Sequence, residues 1–244
     1  MPQSQHQNQL QNPVVPHDKW IAARKLLLAK EKAFTQARDE LSRERQALPW
    51  VKIEKDYVFQ GRDGQAALSD LFGSANQLIV AHFMFGPDWE EGCPSCTFWA
   101  DGYDPMVVHL AARDVAFASV SRAPLDKLEA YKARMGWSFN WVSSLSNDFN
   151  EDFAVSFTEA ELASGSVEYN YKSGPFPSTE APGLSVFYKD NAGDIFHTYS
   201  CYARGLDMMN TAYHLLDLVP KGRDEAELPF TMAWVRRHDS YDET

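Results

Sequence analysis

The chain has 244 residues, of which 44% are hydrophobic, 23% charged and 13% aromatic, a profile that excludes a disordered or fibrous protein and allows one large domain with an appendage. Its 34 acidic residues outnumber 23 basic ones, and the formal charge of −11 disfavours phosphate backbones and anionic lipid, so neither nucleic acid nor a membrane is expected as a partner. No apolar run reaches the roughly 18 residues of a membrane span, and the polar stretch Pro2–Gln11 has no export-signal pattern, which makes the cytoplasm the expected compartment.

Residues 1–16 are Gln/Asn-rich with three prolines, too polar to offset their ordering entropy, and are read as a disordered arm. A helix follows over 17–49, from about Asp18 to Leu48, bounded by Pro16 and Pro49 and free of interior glycine or proline. Along it Trp20, Leu27, Phe34 and Leu41 recur every seven residues and form a narrow apolar stripe. Such a stripe needs a covering surface, either the parent domain or the same helix of a second chain in a homodimer.

From Asp56 short apolar runs alternate with helical segments, as in an α/β layered domain. The pattern predicts strands at Tyr57–Gln60, Gln77–Phe85, Val115–Val120, Phe139–Ser143, Leu184–Lys189 and Ile195–Tyr202, with helices at Cys93–Ala112, Pro124–Met135 and Gly205–Val219. The body therefore spans 50–220, carries a mainly irregular surface insertion at 146–181, and is followed by a tail over 221–244. Asp190–Asp194 has the composition of a hairpin turn between the last two strands. The order predicts a mixed sheet covered by helices.

Three cysteines are too few for a disulfide framework, yet two of them form Cys93-Pro94-Ser95-Cys96. The preceding run Gln77–Phe85 reads as a buried central strand, so the pair falls at a strand-to-helix junction. With Pro94 as first helical residue, Cys93 sits at the N-cap, where free backbone N–H groups and the helix dipole favour a thiolate. Cys96, one turn on, is placed to resolve a mixed disulfide formed at Cys93. Asp88, Glu90 and Glu91 crowd the approach, oppose an extreme acidity at Cys93, and favour a disulfide-bearing protein or a neutral or cationic small molecule over an anionic thiol. No cofactor and no metal is required by this chemistry.

Several neighbours are candidate site residues. Trp89, Pro94 and Pro182 are candidates for substrate contact, Pro182 because Ala181-Pro182 stands before the strand Leu184–Lys189 and a cis bond there would free backbone groups for an extended ligand; an ordinary trans proline is the alternative. His82 could move protons for Cys96 or be a hydrogen-bonded core histidine. Trp99 could help Trp89 shape a docking surface or simply pack. Zinc held by Cys93, Cys96, His82 and His109 is a non-enzymatic alternative, although no second Cys-X-X-Cys or finger spacing is present. Cys201 reads as a buried inert thiol, and the run Trp234–Asp239 as a tail folded onto the body or across a dimer.

The run Leu78–Phe83 ahead of a Cys-X-X-Cys, with Pro182 before Leu184–Lys189, resembles thioredoxin over the central domain. From Trp20 to Tyr241 the chain more closely resembles a bacterial thioredoxin-like family of unassigned function, through His82-Phe83-Met84-Phe85-Gly86-Pro87, Gly92-Cys93-Pro94-Ser95-Cys96, Ser121-Arg122-Ala123-Pro124-Leu125 and Lys221-Gly222-Arg223-Asp224-Glu225. The resemblance implies a thioredoxin-like mixed sheet flanked by helices and, with the cysteine pair, a thiol–disulfide oxidoreductase. The topology is also similar to peroxiredoxins, which implies thiol peroxidase activity as an alternative. Glu90 stands where that family has a threonine, Ala181 where it has an arginine, and Arg122 is the candidate to replace the latter. A thioredoxin-fold binding module without catalysis is the third reading.

Overall fold

Apolar runs with few turn residues become the inner strands of one eight-stranded mixed sheet, and the segments that break that pattern cover its two faces. A computed structural model describes residues 12–241. The expected arm lies mostly outside the described residues; 12–16 carry no regular structure. In chain order the elements are α1 (His17–Gln46), β1 (Val51–Lys52), β2 (Val58–Gly61), β3 (Gly64–Ala67), β4 (Gln77–His82), α2 (Pro94–Tyr103), α3 (Val107–Ala111), β5 (Val115–Ser121), α4 (Leu125–Met135) and β6 (Asn140–Ser143). They continue with α5 (Phe149–Asp152), α6 (Glu159–Ser164), β7 (Val167–Tyr169), β8 (Lys172–Gly174), β9 (Gly183–Lys189), β10 (Ile195–Tyr202) and α7 (Thr211–Leu216).

The sheet order is β1-β10-β9-β4-β5-β6-β2-β3. β4, β5 and β6 run parallel, joined by helical crossovers, while β9 pairs antiparallel with β4 and β10 with β9. This is the expected thioredoxin-like mixed sheet with a long N-terminal helix. Alternation along β4 divides the core. Leu78 and Val80 face a layer built on Phe59, Phe72, Phe149 and Phe187, whereas Ala81 packs with Cys96, Ala100, Leu128 and Trp141 beneath α2 and α4.

Three expectations change. The insertion at 146–181 is not an irregular surface loop: Phe149, Phe153, Val155, Phe157 and Val167 are buried and form much of the first core layer, and β7–β8 is a hairpin within it. Its elements, three to six residues long, are too short to show a hydrophobic period. The helix expected over Cys93–Ala112 is broken at Asp104–Met106, a 3-10 turn, because Pro105 has no N–H to continue the ladder. The last helix likewise divides into a 3-10 turn, Ala203–Met209, and α7, which Asn210 caps by accepting a 3.0 Å bond from the Tyr213 N–H.

The stripe on α1 does not pack on the parent domain. None of the helix's 30 residues is buried, and Trp20, Leu27, Phe34 and Leu41 are 51, 52, 68 and 51% exposed. Near its C-terminal end the Arg45 guanidinium lies 4.9 Å over the Tyr199 ring, and just beyond the helix Trp50 packs 5.1 Å from Tyr188. No helix among the described residues is long and apolar enough to cross a membrane.

Candidate functional site at the Cys93–Cys96 pair

The loop that follows the C-terminal end of the central strand β4 returns to the chain just beyond it: the Cys93 N–H donates to the Met84 carbonyl at 3.0 Å, while the Met84 N–H donates to Cys96 Sγ at 3.4 Å. Cys93 is the N-cap of α2 and Pro94 its first residue, as the spacing predicts. The loop has no spare room. A Cβ on Gly92 would lie 2.7 Å from Phe83 Cε1 and 3.1 Å from Tyr131 Cε1, so only glycine lets the backbone pass these buried rings.

A directed hydrogen-bond chain holds the first turn. Arg237 Nε donates to the Tyr131 hydroxyl at 2.9 Å, Tyr131 to Thr97 Oγ1 at 2.8 Å, and Thr97 to the Cys93 carbonyl at 3.0 Å. Arg237 Nη2 also donates to the Gly92 carbonyl at 2.8 Å, and its Nη1 lies 2.9 Å from Glu91 Oε2. The tail is therefore folded on the body, with Val235 buried, and its arginine fixes the residues on either side of the Cys93 amide.

The two thiols differ. Cys93 is half-buried and Cys96 buried, and both are free. The Cys93 thiol is drawn below its ordinary value of 9.0, to about 7, first by the Cys96 hydrogen bond; burial opposes this, and bonds from the Cys96 and Ser95 backbone and the Ser95 side chain assist it. Cys96 moves upward, because it donates to Cys93, because it is buried, and because the Cys93 charge repels a second one. The expected acidic rim does not govern this balance: Glu91 is paired with Arg237, and Glu90 is 91% exposed with Lys127 Nζ 3.9 Å away.

The pair opens into a cavity of about 750 Å³. Met84, Trp99, Pro182, Leu206 and Met232 supply apolar wall, and Arg204, Asp207, Tyr213, Asp217, Arg223 and Glu225 come from the chain after β10. Of the sequence-derived candidates, Cys93, Cys96 and Pro182 are thus brought together. Among the described residues every peptide bond is trans, Ala181–Pro182 included, so the cis reading falls, but Pro182 still lines the site. Pro94 starts the helix without lining the cavity. Trp89 packs into the core with its ring against Gly86; Trp99 lines the cavity instead, its Nε1 donating to the Leu206 carbonyl at 2.8 Å.

His82 is a buried, hydrogen-bonded core residue. It shares the face of Val80, where its ring stacks against Phe149 and Phe153 and its Nε2 meets Ser185 Oγ at 2.8 Å. Burial, followed by His197, lowers its pKa to about 3, so it stays neutral. Among the described residues no three His, Cys, Asp or Glu side chains gather as a metal site, and with His82 turned away the zinc set loses a ligand. Arg122 does not line the cavity; its Nη1 lies 3.6 Å from Glu180 Oε1. Cys201 is buried and its thiol is pushed up by that burial, as expected of an inert residue.

The cavity wall contributed by 203–232 was not legible beforehand. Its one sequence signal is the phrase Lys221–Glu225, whose Arg223 and Glu225 both reach the cavity.

No curated protein matches the chain. Among solved structures it is similar to Peroxidoxin BcpB from Mycobacterium tuberculosis, at 13% identity over 66% of this chain and 93% of that chain with a TM-score of 0.44. A mutant of PrxQ from Xylella fastidiosa gives 11%, 65%, 88% and 0.41, and a hypothetical protein from Sinorhizobium meliloti 1021 gives 13%, 61%, 71% and 0.36. Residues 9–241 match the family described as "Bacterial protein of unknown function (DUF899)", and the chain, with its thioredoxin-like fold and Cys93–Cys96 pair, belongs to that family.

Proposed function

We propose that this protein is a thiol–disulfide oxidoreductase in which Cys93 attacks and Cys96 resolves. The observation that carries the proposal is the asymmetry of the pair: an accessible thiol lowered to about 7 at a helix N-cap, hydrogen-bonded by a buried thiol that stays protonated.

Cys93 thiolate attacks one sulfur of a substrate disulfide; the substrate S–S bond breaks, a Cys93–substrate S–S bond forms, and the departing sulfur takes a proton. Forming that bond removes the charge and the hydrogen-bond acceptor that held Cys96 protonated, leaving burial alone to oppose its ionisation. Cys96 then gives up its proton and attacks Cys93 Sγ, expelling the second substrate thiol. The substrate gains two electrons and two protons, and the protein is left with a Cys93–Cys96 disulfide. Reversal would oxidise a dithiol. The peroxidase reading has less support, since Glu90 points to solvent and Arg122 is turned to Glu180.

The test uses one equivalent of 2,2′-dithiodipyridine on reduced protein carrying Cys201→Ser. Two thiopyridones released per disulfide, with no adduct remaining, are expected; Cys96→Ser should stop at one, with the adduct on Cys93. Equal release from both proteins would overturn the proposal, and faster consumption of hydrogen peroxide than of the disulfide would favour the peroxidase.

A further inference from the structure

The cavity over Cys93 names a substrate class. We infer, resting on the thiol–disulfide reading, that the protein acts on small, largely apolar disulfides without negative charge rather than on protein disulfides or on anionic ones such as glutathione disulfide.

Two observations carry this. The first is shape. Residues 203–232, after β10, rise beside the redox helix, so Cys93 lies in the wall of a cavity of about 750 Å³ instead of on an open face. That volume suits a drug-sized molecule. A disulfide held in a folded protein would have to bring its backbone into that cavity. The wall is firmly built: Glu225 Oε1 accepts from the Tyr213 hydroxyl at 2.8 Å, the Met232 N–H at 3.0 Å and Trp234 Nε1 at 2.7 Å, and Trp99 ties the Leu206 carbonyl to α2.

The second is charge. Every ionic group in the lining already has a partner within it. Arg223 binds Asp217 through Nε and Nη2, both at 2.8 Å, reaches Asp207 at 3.0 Å through Nη1, and covers the Tyr213 ring at 3.9 Å. Arg204 Nη2 also meets Asp207, at 3.2 Å. Two arginines face three carboxylates, so the lining carries a net negative charge that repels a substrate carboxylate. Beside the small Ser95, Ala203 and Thr231, the rest of the lining is Met84, Trp99, Pro182, Leu206 and Met232, a surface that gains from burying alkyl or aryl groups.

The experiment measures oxidation of reduced Cys201→Ser protein by dibutyl disulfide, glutathione disulfide and insulin, each rate divided by that of the same disulfide with free mercaptoethanol. Dibutyl disulfide should show an enhancement at least tenfold above the other two. Met232→Asp should cut the dibutyl enhancement at least fivefold, and Met232→Gln, which adds no charge, should lower it in the same direction; an enhancement unchanged in both variants overturns the inference. An enhancement for glutathione disulfide or insulin equal to that for dibutyl disulfide overturns the inference. Failure of dithiodipyridine to yield two thiopyridones overturns instead the redox reading beneath it, so the two failures are distinct.

Discussion

Replacing Cys96 with Ala removes the group that does most to hold Cys93 as an anion, and the reactivity of Cys93 should report the loss. In the native protein the Cys93 thiol is drawn from 9.0 to about 7, with the Cys96 hydrogen bond as the foremost cause. At pH 7 a thiol titrating at about 7 is roughly half ionised, whereas one titrating at 9 is ionised to about 1%. Alkylation by iodoacetamide, followed by intact mass from pH 5 to 10 in a Cys201→Ser background, should have its midpoint near 7; Cys96, buried and raised, should not compete. In Cys96→Ala the backbone donors of the helix start remain but the leading cause is gone, and the midpoint should rise by at least about one unit. For a rise of one unit the rate at pH 7 should fall by only about twofold, because a less acidic thiolate is also a better nucleophile, with a Brønsted slope of about 0.4–0.5. A native midpoint near 9, or a midpoint that Cys96→Ala leaves in place, would refute the account of how the pair is tuned.

Glu180 should make stability fall as pH rises. Burial lifts its carboxyl to about 7 against the pull of Ser156 and Arg122, so between about 4.5 and about 7 the native protein binds more protons than the unfolded chain. The sign is destabilising on going to high pH, by at most about 3 kcal/mol; Glu180→Gln should flatten the change in urea-unfolding free energy between pH 5 and 8, and unaltered pH dependence would contradict this. Gly92→Ala forces a methyl group against Phe83 and Tyr131 and should cost about 1–3 kcal/mol by thermal melting while also slowing Cys93 alkylation; a loss under about 0.5 kcal/mol would show that the loop is slacker than the contacts imply. His82→Gln should leave the rate of the resolving step, followed by thiopyridone release, within about threefold, whereas loss of a general base costs about 100-fold or more.

The amino-acid sequence by itself determined the frame: the strand from Gln77, the helix opened by Pro94, the turn at Asp190–Asp194 and the cysteine pair between them are local patterns, because a strand, a proline at a helix start and a hairpin turn are each specified by residues adjacent in the chain. Tertiary structure decided the rest. The faces of β4 follow from alternation, but that His82 turns to Phe149 and Phe153 depends on a 146–181 segment with no readable period. The Arg237 bond to the Gly92 carbonyl joins residues 145 positions apart, and Met232 and Arg223 reach the cysteines only because the chain after β10 folds back over α2. Hydrogen bonds and apolar contacts across such separations depend on where the whole chain places each group, so the cysteine pair could be read from spacing while the cavity it opens into could not.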